Sequence, residues 1–98
     1  MAMHVGVARV TLHLAENSSL KGKRMVVKSV VQRVRNRFNV AVAEIETQDA
    51  WEVLTLGIVC VSEDPRHANE MLSKVIDFIE SQRLDAEVGD VEVELIAV

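Results

Sequence analysis

The sequence predicts one α+β sandwich, a four-stranded antiparallel sheet with two helices on one face, and three observations carry that prediction. Hydrophobicity alternates with period two in HVGVARVTLHL. It then changes to a helical period from Ser19, returns to strand-like runs, and repeats the change after Pro65. A chain of 98 residues with 49% hydrophobic content fits a single domain, spanning 1–98, around one modest core.

The elements follow in order. In residues 4–14, Ala8, Val10, Leu12 and Leu14 share one face of a strand, with Val5, Val7, Arg9, Thr11 and His13 on the other. From Ser19, the residues Leu20, Val27, Val30, Val31, Val34 and Phe38 fall on one side of a helix turning about 100° per residue. NVAVAEIE and WEVLTLGIVCVS, separated by Thr47, Gln48, Asp49 and Ala50, read as a hairpin. Asp64 followed by Pro65 is an N-cap and first-turn pair. Ala68, Met71, Leu72, Val75, Phe78 and Ile79 then supply the apolar stripe of a second helix. Gly89 and Asp90 lead into a last strand, VEVELIAV. Short right-handed crossovers fold the order β-α-β-β-α-β into a ferredoxin-like sandwich with strands in the order 4-1-3-2. The expected core is Val10, Leu12, Val27, Val31, Val34, Leu56, Ile58, Leu72, Val75 and Ile79.

MHVGVARVTLHL, SLKGKR, RFNVAVAE and the W-x-x-x-x-L-G-I-V segment from Trp51 to Val59 resemble the bacterial YlxP-like family of small uncharacterised proteins. The resemblance covers nearly the whole chain from Met3 and is strongest in its first two-thirds. It implies a ferredoxin-like fold. Because such genes often sit beside those for translation initiation and ribosome maturation factors, it also implies a role around the ribosome, with no established activity. The family often has Glu where this chain has Gly22, so the reciprocal capping box with Ser19 is absent here.

Charge is segregated. The chain carries net charge -4, yet no acid occurs between Glu16 and Glu44, where Lys21, Lys23, Arg24, Lys28, Arg33, Arg35 and Arg37 accumulate. Lys21, Arg24, Lys28 and Arg35, with Gln32 between them, form one stripe at three- and four-residue spacings. Arg33, Arg35 and Arg37 near the helix end complement the negative end of its dipole and require no external partner. Lys21, Lys23 and Arg24 stand at the positive end, where further cations are unfavourable, so something must offset them. An internal carboxylate is one candidate. A phosphate is the other, and it makes Lys21, Lys23, Arg24, Lys28 and Arg35 the candidate anion- or RNA-binding set.

The partner expected on this reading is RNA or a ribosomal subunit, bound through phosphates. Base stacking on the sheet is disfavoured, because the strands place no aromatic residue on their open face. Trp51 and Gln48, at the hairpin, are accessory candidates. Both alternating sets of the third strand are apolar, including Val53, Val59 and Val61 opposite the helices. That pattern suits a strand covered on both sides and predicts self-association through the sheet face or an edge strand, a dimer being favoured. A homo-oligomeric or partner-binding scaffold without nucleic acid is the second functional reading, and an unrecognised small-molecule enzyme the third. Arg9 on the open face is expected to pair with Glu92 or Glu94.

No catalytic residue, cofactor or metal set is assigned. His4 and His13 fall on opposite strand faces and His67 lies in a helix, so they form no ligand cluster. Glu44, Glu46, Asp49 and Glu52 read as a solvated hairpin surface. Cys60, the sole cysteine, sits in the apolar run LTLGIVCV and reads as a buried, reduced thiol. No apolar run reaches the roughly 20 residues of a membrane span, and MAMHVGVARV lacks the pattern of a signal peptide, which points to the cytoplasm.

Overall fold

A computed structural model of the protein describes residues 2–14, 19–82 and 86–98. Six elements follow one another: β1 (His4–Leu14), α1 (Leu20–Arg37), β2 (Ala41–Glu44), β3 (Val53–Ser62), α2 (Pro65–Ser81) and β4 (Ala86–Ala97). The strands form one antiparallel sheet in the order β2-β3-β1-β4, as the pattern predicted. Both crossovers place their helix on the same face, which gives the ferredoxin-like sandwich.

The core lies between that face and the helices. Ala8, Val10, Leu12 and Leu14 of β1, Val42 of β2 and Leu54, Leu56, Ile58 and Cys60 of β3 are buried beneath Val30 and Val34 of α1 and Ala68, Leu72, Val75 and Ile79 of α2. Strand periodicity chose these sheet residues, because the side chains of one strand alternate strictly between faces. Helix α1 departs from expectation. Val27 and Val31 are only partly buried, and Val30 is fully buried with Val34. The third residue on that inward line is Lys23, seven positions before Val30, and it too is fully buried.

The helix ends are capped locally. Ser19 accepts a hydrogen bond at its Oγ from the Gly22 N–H at 3.0 Å, so half of the capping box forms without a glutamate. Asp64 accepts from the Arg66 N–H at 2.9 Å, with Pro65 in the first turn. That backbone donor holds the exposed Asp64 carboxylate below its ordinary pKa. Cys60 is buried, and burial pushes its thiol up. The neutral thiol donates to the Ala68 carbonyl at 3.6 Å, a packing role.

Strand β4 begins earlier than VEVELIAV suggested, at Ala86, because a register shift between Val10 and Leu12 of β1 lets the ladder continue past Gly89 and Asp90. A side chain at Gly89 would meet the His13 ring at 2.8 Å, so glycine there admits the histidine.

The open face is more occupied than expected. Ile45 lies over Gly57, 3.3 Å from where a Cβ would stand, and Thr55 is buried beside it. Arg9 pairs with Glu46 at 3.0 Å, not with Glu92 or Glu94. Glu92 does face Arg9 across the ladder, but the chain turns at Glu46 through a left-handed backbone (φ 65°) and delivers that carboxylate to the guanidinium. Val59 and Val61 remain exposed at the far end of β3. Among the described residues, no helix is long and apolar enough to cross a membrane.

Candidate functional site: a basic groove between α1 and β2

Helix α1 lies along the β2 edge of the sheet, and a groove of about 440 Å³ runs between them. Arg24, Lys28, Gln32 and Arg35 line its helical wall, Val27 and Val31 its floor, and Ala43 and Glu44 its strand side. The two valines left half-buried by the rotation of α1 are therefore the groove floor. Three of the five cations proposed from sequence meet here because they share the stripe beside the apolar face. Lys21 is exposed on the same stripe, about one turn before Arg24 and two before Lys28.

Lys23 is corrected. It is fully buried, and its ammonium lies 2.5 Å from Glu44 Oε2 and donates to the Thr47 carbonyl. An external phosphate cannot reach it there, so it leaves the anion-binding set. Of the two partners considered for the cations at this helix end, an internal carboxylate serves Lys23. Thr47 completes the arrangement: its hydroxyl donates to Glu44 Oε2 at 2.8 Å, and the Thr55 N–H donates to that hydroxyl at 2.9 Å. The hairpin carboxylates are thus not uniformly solvated. Sequence did hold a signal, since Lys23 aligns with Val30 and Val34 on the buried line of α1, and Glu44 is the first acid after the basic run.

The pairing has an electrostatic consequence. Glu44 is the acid lining the groove, and Lys23 neutralises it from beneath. Arg24, Lys28 and Arg35 then face the opening without a competing carboxylate. Lys21, Arg24 and Lys28 make no ion pair among the described residues.

Arg35 and Gln48 have a structural task. Arg35 Nη2 donates to the Val42 carbonyl at 3.1 Å and Gln48 Nε2 to the Glu44 carbonyl at 3.3 Å. Ile45 donates its N–H to the Thr55 carbonyl, and alternation along the ladder turns the Val42 and Glu44 carbonyls outward. Both side chains therefore shield the free edge of β2. Trp51, at the hairpin end, retains 43% exposure and lies outside the groove lining.

The other helix-end cations also find partners within the fold. Arg33 Nη1 donates to Gln82 Oε1 at 2.8 Å, and the Arg37 guanidinium stands 5.1 Å from the centre of the Phe78 ring, which packs edge-on against Phe38. Arg33→Ala and Arg37→Ala should each cost up to about 1 kcal/mol, from lost dipole and cation–π terms, in urea unfolding. Neither residue lines the groove.

Residues 5–93 match the family described as Protein of unknown function (DUF503). The Uncharacterized protein YlxP of Bacillus subtilis (strain 168) is 38% identical over 77 residues, 79% of this chain and 84% of that protein. The De novo designed protein Foldit4 matches the structure with a TM-score of 0.53 at 18% identity, covering 95% of this chain and 96% of the design. That last likeness shows the fold alone.

Proposed function

The chain belongs to the DUF503 family, and we propose that within it this protein is a non-catalytic RNA- or ribosome-associated module that holds phosphates in the α1/β2 groove. The observation that carries the reading is the charge of that groove: three cations on one wall, with the opposing Glu44 already neutralised by buried Lys23. Phosphate oxygens are the fitting ligands, since guanidinium groups such as those of Arg24 and Arg35 bind them bidentately. The floor is aliphatic, so no base stacks there and recognition is of the backbone, tolerant of sequence.

The test is RNA and ribosomal-subunit retention across a salt series, comparing the protein with Lys21→Gln/Arg24→Gln/Lys28→Gln. If these three and Arg35 neutralise single-strand phosphates, the log-log salt slope is roughly -3, and the triple variant loses about 2 of it. Its stability should hold or rise slightly, because Lys21 and Arg24 sit at the unfavourable end of the dipole. Absence of retention at low salt, or an unchanged slope in the variant, would refute the assignment.

A further inference from the structure

The two edges of the sheet are treated differently. Strand β2 is short and its outward carbonyls are shielded by Arg35 and Gln48. Strand β4 has twelve residues, and among the described residues no side chain donates to or accepts from its backbone. Five aliphatic residues near its end are exposed: Val91, Val93 (45%), Leu95, Ile96 and Val98. Val91, Val93 and Leu95 lie on the helix side, paired with Val10, Ala8 and Gly6, yet α2 does not cover them. A long unshielded edge with an apolar stripe is a template for another strand.

We infer that this edge docks a second copy of the chain, antiparallel, about a two-fold axis at Leu95. The hydrogen-bond phase restricts the choice first. Val98 donates its N–H to the Met3 carbonyl, so Val98, Ile96, Glu94 and Glu92 direct their backbone groups to β1. Val91, Val93, Leu95 and Ala97 direct theirs outward. Carboxylates restrict it further. An axis at Val93 sets Glu92 opposite the second copy's Glu94 on both sides, and an axis at Glu94 sets that residue against itself, each a destabilising like-charge pair. With the axis at Leu95, Glu94 faces Ile96 and Glu92 faces Val98. Leu95 then faces Leu95, Val93 faces Ala97, and those outward backbone groups bond in pairs. Moving the axis to Ile96 also avoids opposed carboxylates but shortens the overlap. The Leu95 register is the longest free of them.

Pairing between β4 of one copy and β2 of the next would propagate an open chain, and the shielded carbonyls of β2 oppose it. The two-fold arrangement closes. It yields a continuous eight-stranded sheet in which seven steps of about 4.8 Å put the two β2 edges roughly 34 Å apart. The inference does not depend on phosphate binding in the grooves.

Sedimentation of the protein at micromolar concentration, without nucleic acid, should give twice the 10.9 kDa chain mass. Val93→Pro removes an outward N–H while sparing the β1 ladder, so it should keep the circular dichroism of the fold and sediment as a monomer. Should that variant not fold, cysteine scanning still decides. Oxidised Leu95→Cys should form the strongest covalent dimer, since directly opposed antiparallel residues have Cα atoms within disulfide reach. Val93→Cys and Val59→Cys should cross-link far less. A monomeric wild type, a dimer unaffected by a folded Val93→Pro, or strongest cross-linking through Val59→Cys on the open face would overturn the inference.

Discussion

Lys23→Met should lower the unfolding free energy by about 3–5 kcal/mol in urea titration, although the same substitution on the exposed stripe of α1 would be nearly silent. The reason is burial. The ammonium has no exposed surface, and its removal leaves Glu44, largely enclosed itself, with an uncompensated charge and only the Thr47 hydroxyl as donor. Glu44→Leu should cost a comparable amount by stranding the ammonium. Lys23→Met/Glu44→Leu should lie nearer to the wild type than either single change, because an apolar pair of similar volume replaces the ion pair without a desolvation cost. A loss below about 1 kcal/mol for the single variants, the level of exposed pairs, would mean that water reaches the pair. The same series also reads function. If the groove holds phosphates as proposed, Lys23→Met leaves the Glu44 carboxylate unneutralised in its lining and should weaken their binding, and the double variant should restore it.

Leu72→Ala should cost about 2–5 kcal/mol, through lost transfer energy and the cavity left under α2. Leu72 is fully buried, and α2 approaches β1 so closely that a Cβ on Gly6 would stand 2.9 Å from Leu72 Cδ1 and 3.0 Å from Cys60 Sγ. Gly6→Ala alone should therefore cost about 1–3 kcal/mol by overpacking. Combined with Leu72→Ala, the added methyl occupies part of the vacated space, and the two effects should fall short of their sum by about 0.5–3 kcal/mol in a double-mutant cycle. Strict additivity would show that Gly6 is not set by the leucine above it.

Much of the fold is legible in the sequence, and particular residues show why. Alternation in residues 4–14 names the inward set Ala8, Val10, Leu12 and Leu14 because strand geometry leaves no other choice of faces. Asp64 and Pro65 announce α2 because capping is a local matter of one side chain and two or three N–H groups. Helix α1 was read less well. Its valines at 26, 27, 30, 31 and 34 make a broad stripe, so its rotation depends on what it packs against, and a turn of less than about 90° around the helix axis suffices to bury Val30 in place of Val27 and Val31.

The candidate site divides along the same line. Sequence alone determined the ferredoxin-like order of elements, the gathering of positive charge on α1, and the stripe shared by Arg24, Lys28 and Arg35, since each follows from periodicity or spacing along single elements. Tertiary structure decided which charges face out. Lys23 turned inward to Glu44, Arg9 took Glu46 rather than Glu92, and Arg35 and Gln48 closed the β2 edge. Each of these joins residues on different elements, or on a turn whose path the left-handed Glu46 sets, and a Coulomb or hydrogen-bond partner is chosen by distances of a few ångströms that only the packed chain defines.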